Sequence, residues 1–198
     1  MAGKQIYWYI LFLLSVALVG SGCKSQPQEI TERALIPGET TGIPALDHIV
    51  QIVLTGSVDE QRSLVEFSEM GCTFAEGLGG PPKCNASEAE GTPVEVLPFL
   101  GPEGHMIRKA DINTWEGLNV KELYAAYQVS DMAYSDEYYP AGDYALVFLD
   151  AGSPETTITL QIKNGQIVRI DYRFGNPPTI NQDDVAKYLV MPPDFVPR

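Results

Sequence analysis

The chain is short of the residues that most nucleic-acid binders and metal sites depend on. Its 198 residues include only 13 Lys and Arg against 26 Asp and Glu, a formal net charge of −13. A surface this acidic repels phosphate backbones, so nucleic acid is excluded as a partner. The same charge keeps an exposed domain soluble without any partner at all. There are three cysteines and two histidines. No C-x-x-C pair occurs and neither histidine lies near a cysteine, so a zinc site has no sequence support. G-x-S-x-G, H-E-x-x-H and nucleotide fingerprints are absent, and Gly77-Leu-Gly-Gly-Pro-Pro lacks the Gly-Lys-Ser/Thr that completes a phosphate loop. Neither a cofactor nor a metal ion is expected.

What is present begins with an export signal. Lys4 precedes a fourteen-residue apolar run, Ile6 to Val19, and the small residues Gly20, Ser21 and Gly22 lead into Cys23. Val19-Gly-Ser-Gly-Cys23 resembles the lipobox of bacterial lipoproteins, with Gly20 where that family usually carries leucine. The resemblance implies a signal peptide over residues 1–22, a diacylglyceryl group on the Cys23 thiol, and a domain tethered to the outer face of the cell membrane. An ordinary cleaved leader and a retained anchor helix remain alternatives, since the uncharged run approaches the roughly twenty residues of a span. All three put the remainder outside the cytoplasm. Residues 24–41 have no apolar periodicity and read as a flexible tether. Residues 42–198 are expected to form one domain.

In an oxidising compartment a spare thiol is a liability. Lipidation of Cys23 leaves Cys72 and Cys84 as a pair around the Gly- and Pro-rich loop TFAEGLGGPPK, and a disulfide is expected there. The periodicity of Leu46, Ile49, Val50, Val53 and Leu54 predicts a helix over 44–54. Ser57-Val-Asp-Glu60 is a capping box opening a second, to about Phe67. Strands are expected near 94–100, ended or placed at an edge by Pro98, and at 123–129, 144–149, 156–162 and 168–174. A short helical turn is expected at 111–117 and a helix over 182–189. Between the last two strands a three-residue Lys163-Asn-Gly165 loop is preferred to a two-residue turn. The longer loop puts Ile158, Leu160 and Ile162 on the same side as Val168 and Ile170. The fold class is therefore α+β: two N-terminal helices on a curved, mainly antiparallel sheet of about five strands, with a disulfide-closed loop.

That element order over residues 42–176 resembles the nuclear transport factor two-like superfamily, in which a curved sheet wraps around helices and encloses a conical pocket. The resemblance implies a pocket with Tyr127, Tyr144 and Tyr172 as polar tips. Glu103 and His105 form the best isolated acid–base pair. Six tyrosines crowd 124–144, where they either stack on a ligand or fill the core, and Asp131, Asp136, Glu137 and Asp143 lack EF-hand spacing. The reading is a membrane-anchored binding or interaction module for an unknown small molecule or protein. The alternatives are a small-molecule isomerase, dehydratase or hydrolase using the cone, and an assembly subunit pairing through an apolar sheet face around Ala145, Val147 and Leu149.

Overall fold

The computed structural model describes residues 40–101, 103–153, 155–175, 179–193 and 195. The leader 1–22, Cys23 and the tether up to residue 39 lie outside the described residues. The chain divides after Thr31, and the second unit, Glu32–Arg198, carries everything described below. No helix among the described residues is long and apolar enough to cross a membrane.

The domain is α+β, built on one mixed sheet of eight strands rather than five. Helix α1 (Pro44–Thr55) starts on a proline, which suits a first turn that needs no N–H donor. Its buried side is Leu46, Ile49, Val50 and Val53. The carboxylate of Asp47 accepts bonds from the backbone N–H and hydroxyl of Thr41 at 2.6 and 2.7 Å, tying the chain entry to the helix. Helix α2 (Val58–Ser63) has the expected capping box, with the Glu60 N–H donating to Ser57 Oγ at 3.3 Å. It stops after six residues instead of reaching Phe67. Leu64 and Val65 are buried, and Val65 leaves helical geometry to form a parallel bridge with Ile167. The expectation of two helices laid on the sheet is therefore corrected: α1 alone is long enough to present a continuous apolar stripe.

The strands are β1 (Ser68–Gly71), β2 (Pro93–Leu100), β3 (His105–Arg108), β4 (Val120–Val129), β5 (Tyr144–Asp150), β6 (Thr156–Lys163), β7 (Gln166–Phe174) and β8 (Val185–Val190). A 3₁₀ segment, Lys109–Thr114, follows β3 and leads to the buried Trp115. The sheet runs β1-β2-β7-β6-β5-β4-β8, with β3 paired to β2. All pairings are antiparallel except β2 with β7.

Several expectations fail for identifiable reasons. Pro98 lies inside a strand paired along both edges. On one edge the β1 contact ends at Val96 and the β7 contact begins at Phe99, leaving Pro98 in a gap where no N–H is called for, while on the other edge it stands opposite Met106 of β3. The segment expected as helix 182–189 is a single 3₁₀ turn, Gln182–Asp184, followed by strand β8. Tertiary pairing overrides local propensity here, because β4 offers an edge and Val185–Val190 completes it. The β6–β7 turn is the two-residue Asn164-Gly165 turn after all, with φ of +52° and +78°, and Lys163 opposite Gln166. The one-residue shift needed to align the apolar sides occurs further on, as a bulge that moves Gln161 opposite Arg169 and Leu160 opposite Ile170. The turn keeps the twist-matched geometry that Asn-Gly favours, and the strand absorbs the extra residue.

The sheet has two differently filled sides. On the α1 side, Leu97, Phe99, Leu146, Phe148, Ile158, Leu160 and Ile170 are buried with the α1 stripe. On the other side Tyr124, Ala125, Tyr127, Ala145 and Val147 are covered by Ile180, Val185 and Tyr188. A register shift between Leu123 and Ala125 sends Ala126 to the α1 side, which breaks the simple alternation expected for β4. Beside this second cluster, Arg169 and Asp171 form an ion pair (Nε–Oδ1 2.6 Å, Nη2–Oδ2 2.9 Å), each side chain 3% exposed.

Candidate functional site

Three loops that are far apart in sequence meet beside β3. The first is the disulfide loop: Cys72 and Cys84 are bonded, with an S–S distance of 2.03 Å and Cα atoms 4.9 Å apart. Its neck is also held by main chain, since Thr73 N–H donates to Pro82 O at 2.8 Å and Cys84 N–H to Thr73 O at 3.0 Å. The second is the β2–β3 turn at 101–104, and the third is the tyrosine-rich loop 130–142.

Between the disulfide loop and β3 lies an open groove of about 490 Å³. One wall is Gly77–Lys83 and the other is the whole of β3, with Asp111 and Thr114 at its foot. Arg108 struts the two walls. Its guanidinium makes a bidentate pair with Glu88 (2.6 and 2.8 Å) and donates to Lys83 O at 2.5 Å. Glu88 accepts a third bond from the Asn85 N–H at 2.7 Å. These bonds, the Arg108 pair foremost, hold the Glu88 carboxyl at a pKa of about 2 against an ordinary 4.5. The sign follows: a depressed pKa adds stability that is complete above 4.5 and is lost as pH falls toward 2. Protection factors of the amides across 73–85, corrected for the intrinsic pH dependence of exchange, should therefore be high at pH 6 and fall between about pH 4.5 and 2. A Glu88→Gln variant should show low protection throughout and no such transition. A wild-type profile flat over that window would refute the strut.

The loops touch at Tyr139. This side chain is 4% exposed, and its hydroxyl sits against Gly79 and Gly104 without a hydrogen-bond partner among the described residues. The Gly80 amide lies close enough to act on the hydroxyl electrostatically but not in bonding geometry, and burial pushes the phenol pKa up. At Gly104 the backbone has φ +58°, and a Cβ would stand 2.5 Å from the Tyr139 hydroxyl, so glycine is required twice over. Tyr139 is held from behind by Arg169, whose Nη1 donates to the carbonyls of Tyr139 (2.7 Å) and Tyr134 (3.1 Å). Asp136 accepts from the N–H groups of Tyr138 and Tyr139 at 2.9 and 2.6 Å, so that carboxylate braces the loop.

Of the residues singled out from sequence, His105 lines the groove, its ring stacked on Phe99 at 4.7 Å. Burial against that ring lowers the imidazole pKa, which favours the neutral form. Tyr172 stacks on Phe99 at 6.3 Å and Trp115 meets it edge-on. Tyr144 packs at the rim of the α1-side core. Tyr127 is on the opposite side of the sheet, edge-on to Tyr188 at 6.1 Å. Burial, ahead of the nearby Asp184, raises its phenol pKa. Glu103 is exposed in the β2–β3 turn, with its carbonyl near Gly79. The three tyrosines thus do not share one pocket. Sequence reading missed Arg108, Glu88 and Tyr139, none of which sits in a motif. Cys72, Cys84 and Glu88 come within 4.8 Å of one another, but the sulfurs share a bond and the carboxylate is committed to Arg108 and Asn85. No protein-family model, curated protein or solved structure matches the chain.

Proposed function

We propose that the chain is an extracytoplasmic binding protein, exported on leader 1–22, anchored by a lipid on Cys23, and engaging its ligand in the groove between β3 and the disulfide loop. One observation carries this reading: the groove is open to solvent, yet both walls are held in place before any ligand arrives. The disulfide closes one wall at its neck, and the Arg108–Glu88 pair struts it to the other. Such preorganisation reduces the ordering cost of binding. Leu78, 73% exposed, and Phe74, 55% exposed, sit on the same loop and offer apolar contact. A pairing interface through Ala145 and Val147 loses its motive, since both are buried within the chain.

Of the likeness to the nuclear transport factor two-like superfamily, what the described residues retain is a helix, α1, ahead of the strands and packed on one side of the sheet. The α1 side is packed with Leu46, Ile49, Phe99 and Phe148, so the ligand is placed in the groove rather than in a cone. Fragment screening by NMR tests this placement. Shifts should concentrate in 77–83 and 105–108. Shifts centred on Tyr144 and Tyr172 would overturn it in favour of a cone-fold enzyme. For the anchor, mass spectrometry of the mature chain should find a diacylglyceryl adduct on Cys23 as its first residue. A free thiol at Cys23 would remove the lipid.

A further inference from the structure

We infer that the groove takes an extended peptide, which adds to the sheet as a strand along the outer edge of β3. This rests on the groove being the binding site. The lining itself points to an edge rather than a face. Successive side chains of a strand point to opposite faces, so a cavity lying on one face would meet alternate residues. Here four consecutive residues, His105–Arg108, line the groove. Among the described residues strand β3 pairs only with β2. In an antiparallel ladder alternate residues turn their N–H and C=O away from the partner, so half of β3 directs main-chain donors and acceptors outward. Among the described residues no backbone hydrogen bond joins His105–Arg108 to the opposite wall.

The opposite wall is unable to zip onto that edge. Pro81 and Pro82 have no N–H to donate, and the Pro82 carbonyl is taken by Thr73. The disulfide and the Arg108 strut hold the wall at its distance. What remains is a slot whose unmet groups are regularly spaced main-chain donors and acceptors, a pattern that a second extended chain satisfies residue by residue. Four residues of strand span on the order of 13 Å, so the contact covers about four peptide residues. Lys83 and Arg108 are balanced by Asp111 and by Glu88, the ion-pair partner of Arg108, so main-chain hydrogen bonding rather than net charge carries the recognition.

The test uses phage-displayed random decapeptides panned against the full, oxidised chain, followed by N-methyl scanning of the selected sequences. Strand addition predicts a period of two: methylation at alternate residues weakens binding roughly tenfold, the scale of one lost hydrogen bond with its desolvation. Methylation at the intervening residues should leave affinity nearly unchanged. Amide shifts should fall on 105–108. Selected peptides that shift 77–83 and 105–108 but show no alternation would overturn strand addition and leave the groove as the binding site. Peptides that bind elsewhere would overturn both, and no selected peptide at all would overturn the peptide reading, with fragment shifts at 77–83 and 105–108 still deciding the groove. Concentration-dependent dimerisation that protects the amides of 105–108 would identify a second copy as the occupant, and would equally overturn the peptide reading.

Discussion

Arg169→Met is expected to destabilise the domain by about 3–5 kcal/mol, the cost of leaving one partner of a buried ion pair without its counter-charge. Asp171 has no water to turn to, being 2% exposed, and its other partner is the neutral amide of Gln161 at 3.2 Å. The same substitution removes the donor shared by the carbonyls of Tyr134 and Tyr139, so the middle of the loop 130–142 loses its attachment to β7 while its ends stay bonded through Ser130 and Gly142. Tyr139 should then withdraw from Gly79 and Gly104, and the groove should change although Arg169 does not line it. Urea unfolding measures the first effect, and amide shifts at 77–80 and 104–105 the second. The double variant Arg169→Met with Asp171→Leu should recover much of the stability, because an apolar pair avoids the unpaired charge. It should not restore the loop, whose carbonyls still lack a donor. A loss below about 1 kcal/mol in the single variant would show that water reaches Asp171 and that the pair is not isolated.

Opening the disulfide is the second large effect. Cys72→Ser with Cys84→Ser should cost about 3 kcal/mol, from the chain entropy released to a loop of this length in the unfolded state. The sequence separation is 12, and because closure entropy grows only logarithmically with loop length, even this short loop carries a contribution of that size. The functional loss should exceed the loss in stability. Without the bond the Gly77–Lys83 wall is held by non-covalent contacts, among them the Thr73–Pro82 and Thr73–Cys84 backbone bonds, the Lys83–Ala75 bond and the Arg108 strut. Thermal unfolding of the oxidised protein and the double variant, with hydrogen exchange across 73–83, separates the two contributions. If the amides of the loop keep their protection in the variant, the strut alone defines the wall and the disulfide is incidental to the groove.

How far these features were legible beforehand varies with the range of the interaction. Helix α1 was readable because its stripe, its proline start and its glycine end all lie within about a dozen residues. The Ser57–Glu60 capping box is likewise a four-residue event. The Cys72–Cys84 bond followed from counting cysteines once Cys23 was set aside as a lipid site. By contrast β1 and β3 are four residues each, too short for an alternating pattern to register. Strand β8 exists because β4 needs a partner, a fact visible only once the sheet is assembled. In the β6–β7 hairpin the need for a one-residue shift was readable from Ile158, Leu160 and Ile170, while its location was not. Turn and strand compete for the extra residue, and the twist of the Asn-Gly turn decides.

The sequence by itself determined the pairing of Cys72 with Cys84 and the capped start of α2, and it is the ground for proposing export, since cysteine counts, caps and export signals are local or compositional properties. Only tertiary structure decided where a ligand would go. The groove needs Glu88, Arg108, Tyr139 and Arg169, residues up to 81 positions apart that no spacing rule connects. They meet because β3 pairs back onto β2 while β7 lies parallel to it, and because a buried cation must find its partners wherever the chain brings them.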